Sequence, residues 1–206
     1  MSSDWPEHWP SPNQLGSADV NPAAQARLFI GLKVAPEIAR QLAGLAADLD
    51  RLPVRLVAPG DLHLTLIPPW NATSIPEAIE KLRLVAGVFS PFWLTFEHVG
   101  YGPQPRQPRL LWADCAAIDE ITALRIALLQ AFERTEERPF QPHVTLARIR
   151  GKGWSVARHH PIDQALSLTQ RIESIELFRS PARGESGYQV LASVPLGETA
   201  LTASSS

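Results

Sequence analysis

Pro142-His143-Val144-Thr145-Leu146-Ala147-Arg148 is the stretch on which the reading of this chain turns, and it has an earlier echo in His63-Leu64-Thr65-Leu66. Each copy is a His-x-Thr-Leu tetrad in apolar surroundings. In an extended strand residues two apart point to the same face, so the His and Thr of each copy stand side by side. Leu64 and Leu66 in one copy, and Val144 and Leu146 in the other, then face a core. A single His-x-Thr on an amphipathic strand usually marks a solvated face. Such a tetrad arises by chance on the order of once in fifty chains of this length, so two copies outweigh that reading.

Working outward, residues 27–34 alternate as a strand, and Pro36 opens a helix through Asp50 with Ile38, Leu42, Leu45 and Leu49 at helical spacing. Residues 54–57 form a short strand. Pro59-Gly60-Asp61 turns the chain into the first His strand, which is expected to stop at Pro68-Pro69. Thr73 or Ser74 caps a second helix whose buried stripe is Ile79, Leu82, Val85 and Ala86. Strands at 92–101 and 110–115 follow, joined by a proline-rich loop at 102–108. Asp119 is expected to cap a third helix to Arg134, and 137–142 lead into the second His strand, broken by Gly151 to Gly153. A weaker helix at 155–166, a strand at 168–178, a loop at 180–187 and a last strand at 188–196 complete the pattern.

Strands and helices therefore alternate twice, each half holding one tetrad, with the two histidines about eighty residues apart. An ancient duplication of an α+β unit explains this. Two lobes related by a pseudo-twofold bring equivalent strands together over a shared cleft. The organisation expected is a loose arm at 1–26 with Trp5 and Trp9, one bilobal domain at 27–198, and a frayed tail at 199–206.

A chain of 206 residues is long enough for one substantial core, and its formal net charge of −2 provides no global field for gripping a nucleic-acid backbone. Any RNA contact must be local. One cysteine, Cys115, excludes an internal disulfide and suits a reducing compartment. No run is long and apolar enough for a bilayer, and the start lacks the basic and apolar segments of a signal peptide, so the expectation is a soluble cytoplasmic protein without membrane contact or obligatory protein partner.

The chemistry that uses two imidazoles and two hydroxyls is the opening of a cyclic phosphodiester by water. One base takes a proton from the nucleophile, one acid protonates the leaving oxygen, and imidazole serves both roles near neutral pH. Thr65 and Thr145 can donate to non-bridging phosphate oxygens, and Arg148 can neutralise charge there. No metal or cofactor is needed. The residues alone leave open which histidine is acid and which base.

The paired tetrads, with Arg27-Leu28-Phe29-Ile30, Arg109-Leu110-Leu111-Trp112-Ala113 and Arg138-Pro139-Phe140-Gln141-Pro142 before the second His, resemble the 2H phosphoesterase superfamily, and within it the RNA 2′,3′-cyclic phosphodiesterases, also called 2′-5′ RNA ligases. That resemblance spans roughly residues 27 to 196. It implies a bilobal LigT-like α+β fold, with antiparallel sheets facing a central cleft and helices outside. It also implies metal-free hydrolysis of 2′,3′-cyclic phosphate to 2′-phosphate and weak reverse ligation. The residue roles it implies are His63 as proton donor, His143 as proton acceptor, and Thr65, Thr145 and Arg148 on the phosphate. Its substrates would be RNA ends or small cyclic nucleotides.

Two features depart from the pattern. Ile67-Pro68-Pro69-Trp70 follows the first tetrad where many relatives carry a basic or bulky residue, then Phe-Leu-Gly, and Trp70 is a candidate base-stacking platform as well as a candidate packing residue. Arg148 lies five residues past His143, so a regular strand sends it to the wrong face, and a bulge or a strand end near Ala147 is required to bring it into the cleft. His159-His160 lacks the companions of a metal site, His98 and His8 carry no signal, and Arg106 and Arg109 flank the proline loop, read as solvated in preference to contacts with RNA phosphates. The competing function is a binding module that holds nucleotide or RNA ends in the same cleft without turnover.

Overall fold

The computed structural model describes residues 26–197 apart from 105, 137 and 182–186. The arm with Trp5, His8 and Trp9 and the tail lie outside the described residues, save that Ala26 opens the first strand. The elements are β1 (Ala26–Lys33), α1 (Pro36–Ala46), β2 (Val54–Leu56), β3 (His63–Ala72), α2 (Ile75–Ala86), β4 (Phe92–Gly102), β5 (Leu110–Cys115), α3 (Asp119–Ala131), β6 (His143–Ile149), α4 (Gly153–His159), β7 (Gln164–Ile172), β8 (Ser174–Arg179) and β9 (Gln189–Pro195).

All strand pairs are antiparallel, in the order β7-β4-β5-β6-β3-β1-β8-β9, with β2 laid against β6. Read outward from the middle, β6, β5, β4 and β7 on one side answer β3, β1, β8 and β9 on the other. Each His strand follows its sheet neighbour through a helix, α1 between β1 and β3 and α3 between β5 and β6. Those helices cross over, α1 touching β6 and α3 touching β3, so the two halves share one core. Leu28, Ile30, Leu42, Leu64, Leu82, Leu124, Val144 and Leu177 are all buried within it. The opposite face of the central strands stays open.

Several boundaries differ from the sequence reading. The helix from Pro36 tightens after Ala46 into a 3₁₀ turn at Ala47–Arg51. Ser74, not Thr73, caps α2, its Oγ accepting from the Glu77 N–H at 3.3 Å. Asp119 sits in the first turn of α3 beside the macrodipole's positive end, while Ile118 holds the cap position. β3 does not stop at Pro68-Pro69 but runs on to Ala72. Both prolines lie where two residues of β3 oppose the single Phe29, a bulge at which a missing N–H breaks no ladder bond. The expected helix at 155–166 ends at His159, because Pro161 cannot continue it, and 164–172 alternates as an edge strand on β4. The expected strand at 168–178 is two strands, the chain passing from one half to the other at Glu173.

Gly31 is fixed by close approach. It pairs with Thr65, and a Cβ there would meet the Leu64 carbonyl oxygen at 2.5 Å, which is backbone and cannot step aside. Gly31→Ala is therefore expected to cost roughly 1–3 kcal/mol through forced displacement of β1 from β3. Chemical denaturation measures this, and an unchanged midpoint would remove the contact from the account.

Candidate active site

The two His strands meet through one recorded backbone pair, Leu64 with Val144. In an antiparallel register that pairing sets His63 opposite Thr145 and Thr65 opposite His143, since each pair of numbers has the same sum. Directly opposed residues project to the same face, so the four side chains form a two-by-two array. Leu64, Leu66, Val144 and Leu146 are buried on the other side, as the alternation requires.

A bulge sits at the same place in both motifs. Thr145 pairs with Trp112 and Ala147 with Leu111, leaving Leu146 as the extra residue; Thr65 pairs with Gly31 and Ile67 with Ile30, leaving Leu66. The extra residue resets the strand's parity. Arg148 thereby returns to the face of His143 and Thr145, which supplies the bulge that the sequence required. The carbonyls of the extra residues are satisfied from outside the ladder: Leu146 O accepts from Val57 N–H at 2.9 Å, and Leu66 O from Arg125 Nε–H at 3.2 Å. The position in the first half that corresponds to Arg148 is Pro68, so the array is asymmetric in charge.

Both imidazoles are held in the same way. His63 Nδ1 lies 2.7 Å from the Asp61 carbonyl, and His143 Nδ1 lies 2.8 Å from the Gln141 carbonyl, in each case two residues upstream. A carbonyl can only accept, so Nδ1 carries the hydrogen, and Nε2 is left to take up or release a proton. Their surroundings differ. His63 is enclosed by Phe29, Phe178 and Tyr188, with ring centroids at 4.8, 5.4 and 4.9 Å. Asp61 completes the enclosure, its carboxylate accepting from Tyr188 N–H at 3.0 Å. His143 lies against Trp112 at 4.3 Å. Asp114, across the ladder from His143, accepts from the Trp112 indole at 3.2 Å and from the Gln141 amide at 3.1 Å, fixing both supports of that ring.

A cavity of about 310 Å³ opens beside this array, lined in part by Phe29, His63, Thr65, Arg148 and Tyr188, together with Arg27 and Arg55. His63, Thr65 and Arg148 are thus brought together in its wall, and the register sets His143 and Thr145 on the same face. Trp70 is not in this wall. It packs edge-on against Phe132 at 5.4 Å, borders a separate cavity of about 180 Å³, and on β3 opposes the fully buried Leu28. Phe29, Tyr188, Arg27 and Arg55 were not singled out as site residues by sequence, although the alternation of β1 sets Arg27, Phe29 and Gly31 on one face opposite buried Leu28 and Ile30.

The other candidates fall outside. His159 Nδ1 bonds the Ser155 carbonyl within α4, His160 accepts through its carbonyl from Tyr101, and His98 contacts Asp163 and lies near Asp114. Arg106 and Arg109 do not border the cavity. Cys115 is buried and its thiol is pushed far up by that burial, which disqualifies it as a nucleophile. Among the described residues no three His, Cys, Asp or Glu side chains stand together as metal ligands, and no helix is long and apolar enough to cross a membrane.

The His63 pKa is lowered from 6.5, first by burial; the Asp61 carbonyl opposes this, and the nearby Arg148 and His143 charges reinforce it. Removing a cation from beside an imidazole favours its charged form. Arg148→Gln is therefore expected to raise the His63 pKa, read from its ring proton shifts by NMR titration, and a fall or no change would place Arg148 out of electrostatic reach.

The chain is similar to known proteins in both sequence and fold. A family model described as the 2′-5′ RNA ligase superfamily matches residues 34–181. An RNA 2′,3′-cyclic phosphodiesterase of Archaeoglobus fulgidus is 28% identical over 135 residues, covering 64% of this chain and 77% of that protein. One of Bacillus subtilis is 31% identical over 134 residues, covering 62% and 73%. Among solved structures, TT0787 of Thermus thermophilus shares the fold at TM-score 0.70 and 23% identity, covering 83% of this chain and 98% of its own. E. coli LigT complexed with 3′-AMP superposes at TM-score 0.66 and 26% identity, covering 84% and 99%. With both tetrads on paired central strands and the family match spanning most of the chain, the protein belongs to the 2′-5′ RNA ligase superfamily, within the 2H phosphoesterases.

Proposed function

We propose that this chain hydrolyses 2′,3′-cyclic phosphodiesters at RNA or nucleotide ends to 2′-phosphates through His63 and His143, without a metal. The observation that carries the reading is the pair of imidazoles with Nδ1 tied to a carbonyl and Nε2 left for proton exchange, on one face with two threonine hydroxyls. The relatives named as RNA 2′,3′-cyclic phosphodiesterases support the same substrate class.

In this reading His143 Nε2 takes a proton from water as its oxygen attacks phosphorus. The P–O3′ bond breaks, and His63 Nε2–H delivers its proton to O3′, leaving the phosphate on O2′. Thr65 and Thr145 donate to the non-bridging oxygens, and Arg148 opposes the charge that grows on them. A 5′-hydroxyl in place of water gives a 2′,5′-linked product by the same proton moves, which is the weak reverse ligation. His63→Ala and His143→Ala are each expected to lower turnover by about a hundred- to ten-thousandfold, since each deletes an acid or a base, with circular dichroism checking that the fold is kept. Wild-type rates in either variant would dismiss the mechanism. Thr65→Val and Thr145→Val each remove one hydrogen bond to a charged acceptor, about 1.5–3 kcal/mol, seen as weaker product binding. Binding of a cyclic substrate without any turnover by the folded wild type would instead select the binding-module reading.

The pH dependence follows from burial of His63. The acid must be protonated in the free enzyme, and burial lowers the His63 pKa from its ordinary 6.5, so the limb on which kcat/KM falls with rising pH is displaced to lower pH. Bound phosphate is anionic and favours the charged ring, so the same limb in kcat moves to higher pH. Because the two rings interact, the limbs belong to the pair. Profiles measured with and without EDTA should coincide; a limb that stays in place between kcat/KM and kcat, or a curve abolished by EDTA and restored by a divalent ion, contradicts the assignment.

A further inference from the structure

With His63, His143, Thr65, Thr145 and Arg148 assigned to the cyclic phosphate, two cations in the same cavity wall have no task, Arg27 and Arg55. Arg55 lies directly opposite Arg148 on the paired strands β2 and β6. Opposed residues on antiparallel strands share a face with Cβ atoms about 5 Å apart, and like charges there repel. The arrangement is nevertheless built firmly. β2 is three residues long and pairs only with β6, and it is held at both ends: Arg150 N–H donates to Pro53 O at 2.7 Å and Val57 N–H to Leu146 O at 2.9 Å.

The short strand occupies the edge of β6 that β3 vacates after Val144, and so brings a second guanidinium beside the first. Arg27 arrives from the other side on β1, on the face of Phe29. Arg40, Arg83, Arg138 and Arg171 each lie beside a carboxylate. The Arg27, Arg55 and Arg148 side chains have no such partner among the described residues, in a chain whose formal net charge is −2. A cyclic phosphodiester brings one negative charge to three guanidinium groups in one small cavity, and a second phosphate adds one more as a diester or nearly two as a monoester.

We propose that Arg27 and Arg55 form a second anion subsite for a phosphate on the 5′-oxygen of the same terminal nucleoside whose cyclic phosphate lies at the histidines. This rests on the cyclic-phosphodiesterase reading and sharpens it, because the preferred substrate then carries two phosphates separated by one sugar. That phosphate is a monoester in a free nucleotide and a diester in an RNA strand.

The test uses three substrates of one base: a nucleoside 2′,3′-cyclic phosphate with a free 5′-hydroxyl, the same compound with a 5′-phosphate, and a dinucleotide ending in the cyclic phosphate. For the wild type, kcat/KM is expected to be about ten- to a hundredfold higher for a two-phosphate substrate than for the first, an advantage that shrinks with added salt. Preference for the monoester alone identifies a free nucleotide, and preference extending to the dinucleotide identifies an RNA end. In the folded Arg27→Gln/Arg55→Gln variant the ratio should fall towards one. A wild-type ratio near one, or a ratio unchanged in the variant, overturns the subsite while leaving the hydrolase reading intact. If none of the three is turned over, the hydrolase reading falls instead. The subsite is then judged by calorimetry, where a nucleoside 2′,5′-bisphosphate should bind the wild type at least tenfold more tightly than the 2′-monophosphate, and equal affinities overturn it.

Discussion

Everything at this site depends on the pairing of Leu64 with Val144. Two apolar residues, each buried and each flanked by His and Thr, lock the central strands in one register. That register turns two separate sequence motifs into a single four-residue array. A slip by one residue would pair His63 with Val144 or His143 with Leu64 and carry one pair of functional groups to the other face. The cost of such a slip is burial of an imidazole and a hydroxyl in the shared core and exposure of leucines, which is why the hydrophobic alternation and the chemistry cannot vary independently. The crossing of α1 onto β6 and of α3 onto β3 holds the same register from behind.

Symmetry at the backbone level coexists with asymmetry in the side chains. Both motifs have the bulge after Thr, and both histidines bond the carbonyl two residues upstream. Around that common frame the first half encloses its imidazole in three aromatic rings, while the second backs its imidazole with the Trp112 ring and ties that indole to Asp114. At the position after the bulge one half has Arg148 and the other Pro68. Among these differences, the burial of the first imidazole lowers the proton affinity of His63.

Much of this was legible in the sequence because it rests on local periodicity. The face shared by His63 and Thr65, and by His143 and Thr145, follows from a period of two, and the need for a bulge before Arg148 follows from counting parity. What was not legible depends on partners distant in the chain. Pro68-Pro69 reads as a stop, yet β3 continues because the prolines fall in a bulge opposite Phe29. Trp70 reads more readily as packing than as a platform, and its opposition to Leu28 and contact with Phe132 are set by residues distant in the chain. Tyr188 meets His63 from 125 positions along the chain, and Arg55 is set opposite Arg148 by a three-residue strand, placements that no local pattern encodes. The division of 168–178 into two strands was hidden for the same reason, since both pieces are extended and only their different neighbours separate them.

The central claim is that two imidazoles with Nδ1 held by backbone carbonyls present Nε2 to one phosphate. Long-range proton–nitrogen NMR of the histidine rings, recorded for the free protein and with a 2′-nucleotide bound, tests it directly. The account predicts the Nδ1–H tautomer for neutral His63 and His143, with Nε2 as the nitrogen whose shift moves on titration and on binding the nucleotide. An Nε2–H tautomer in either ring, or Nε2 signals that do not respond to the phosphate, would contradict it.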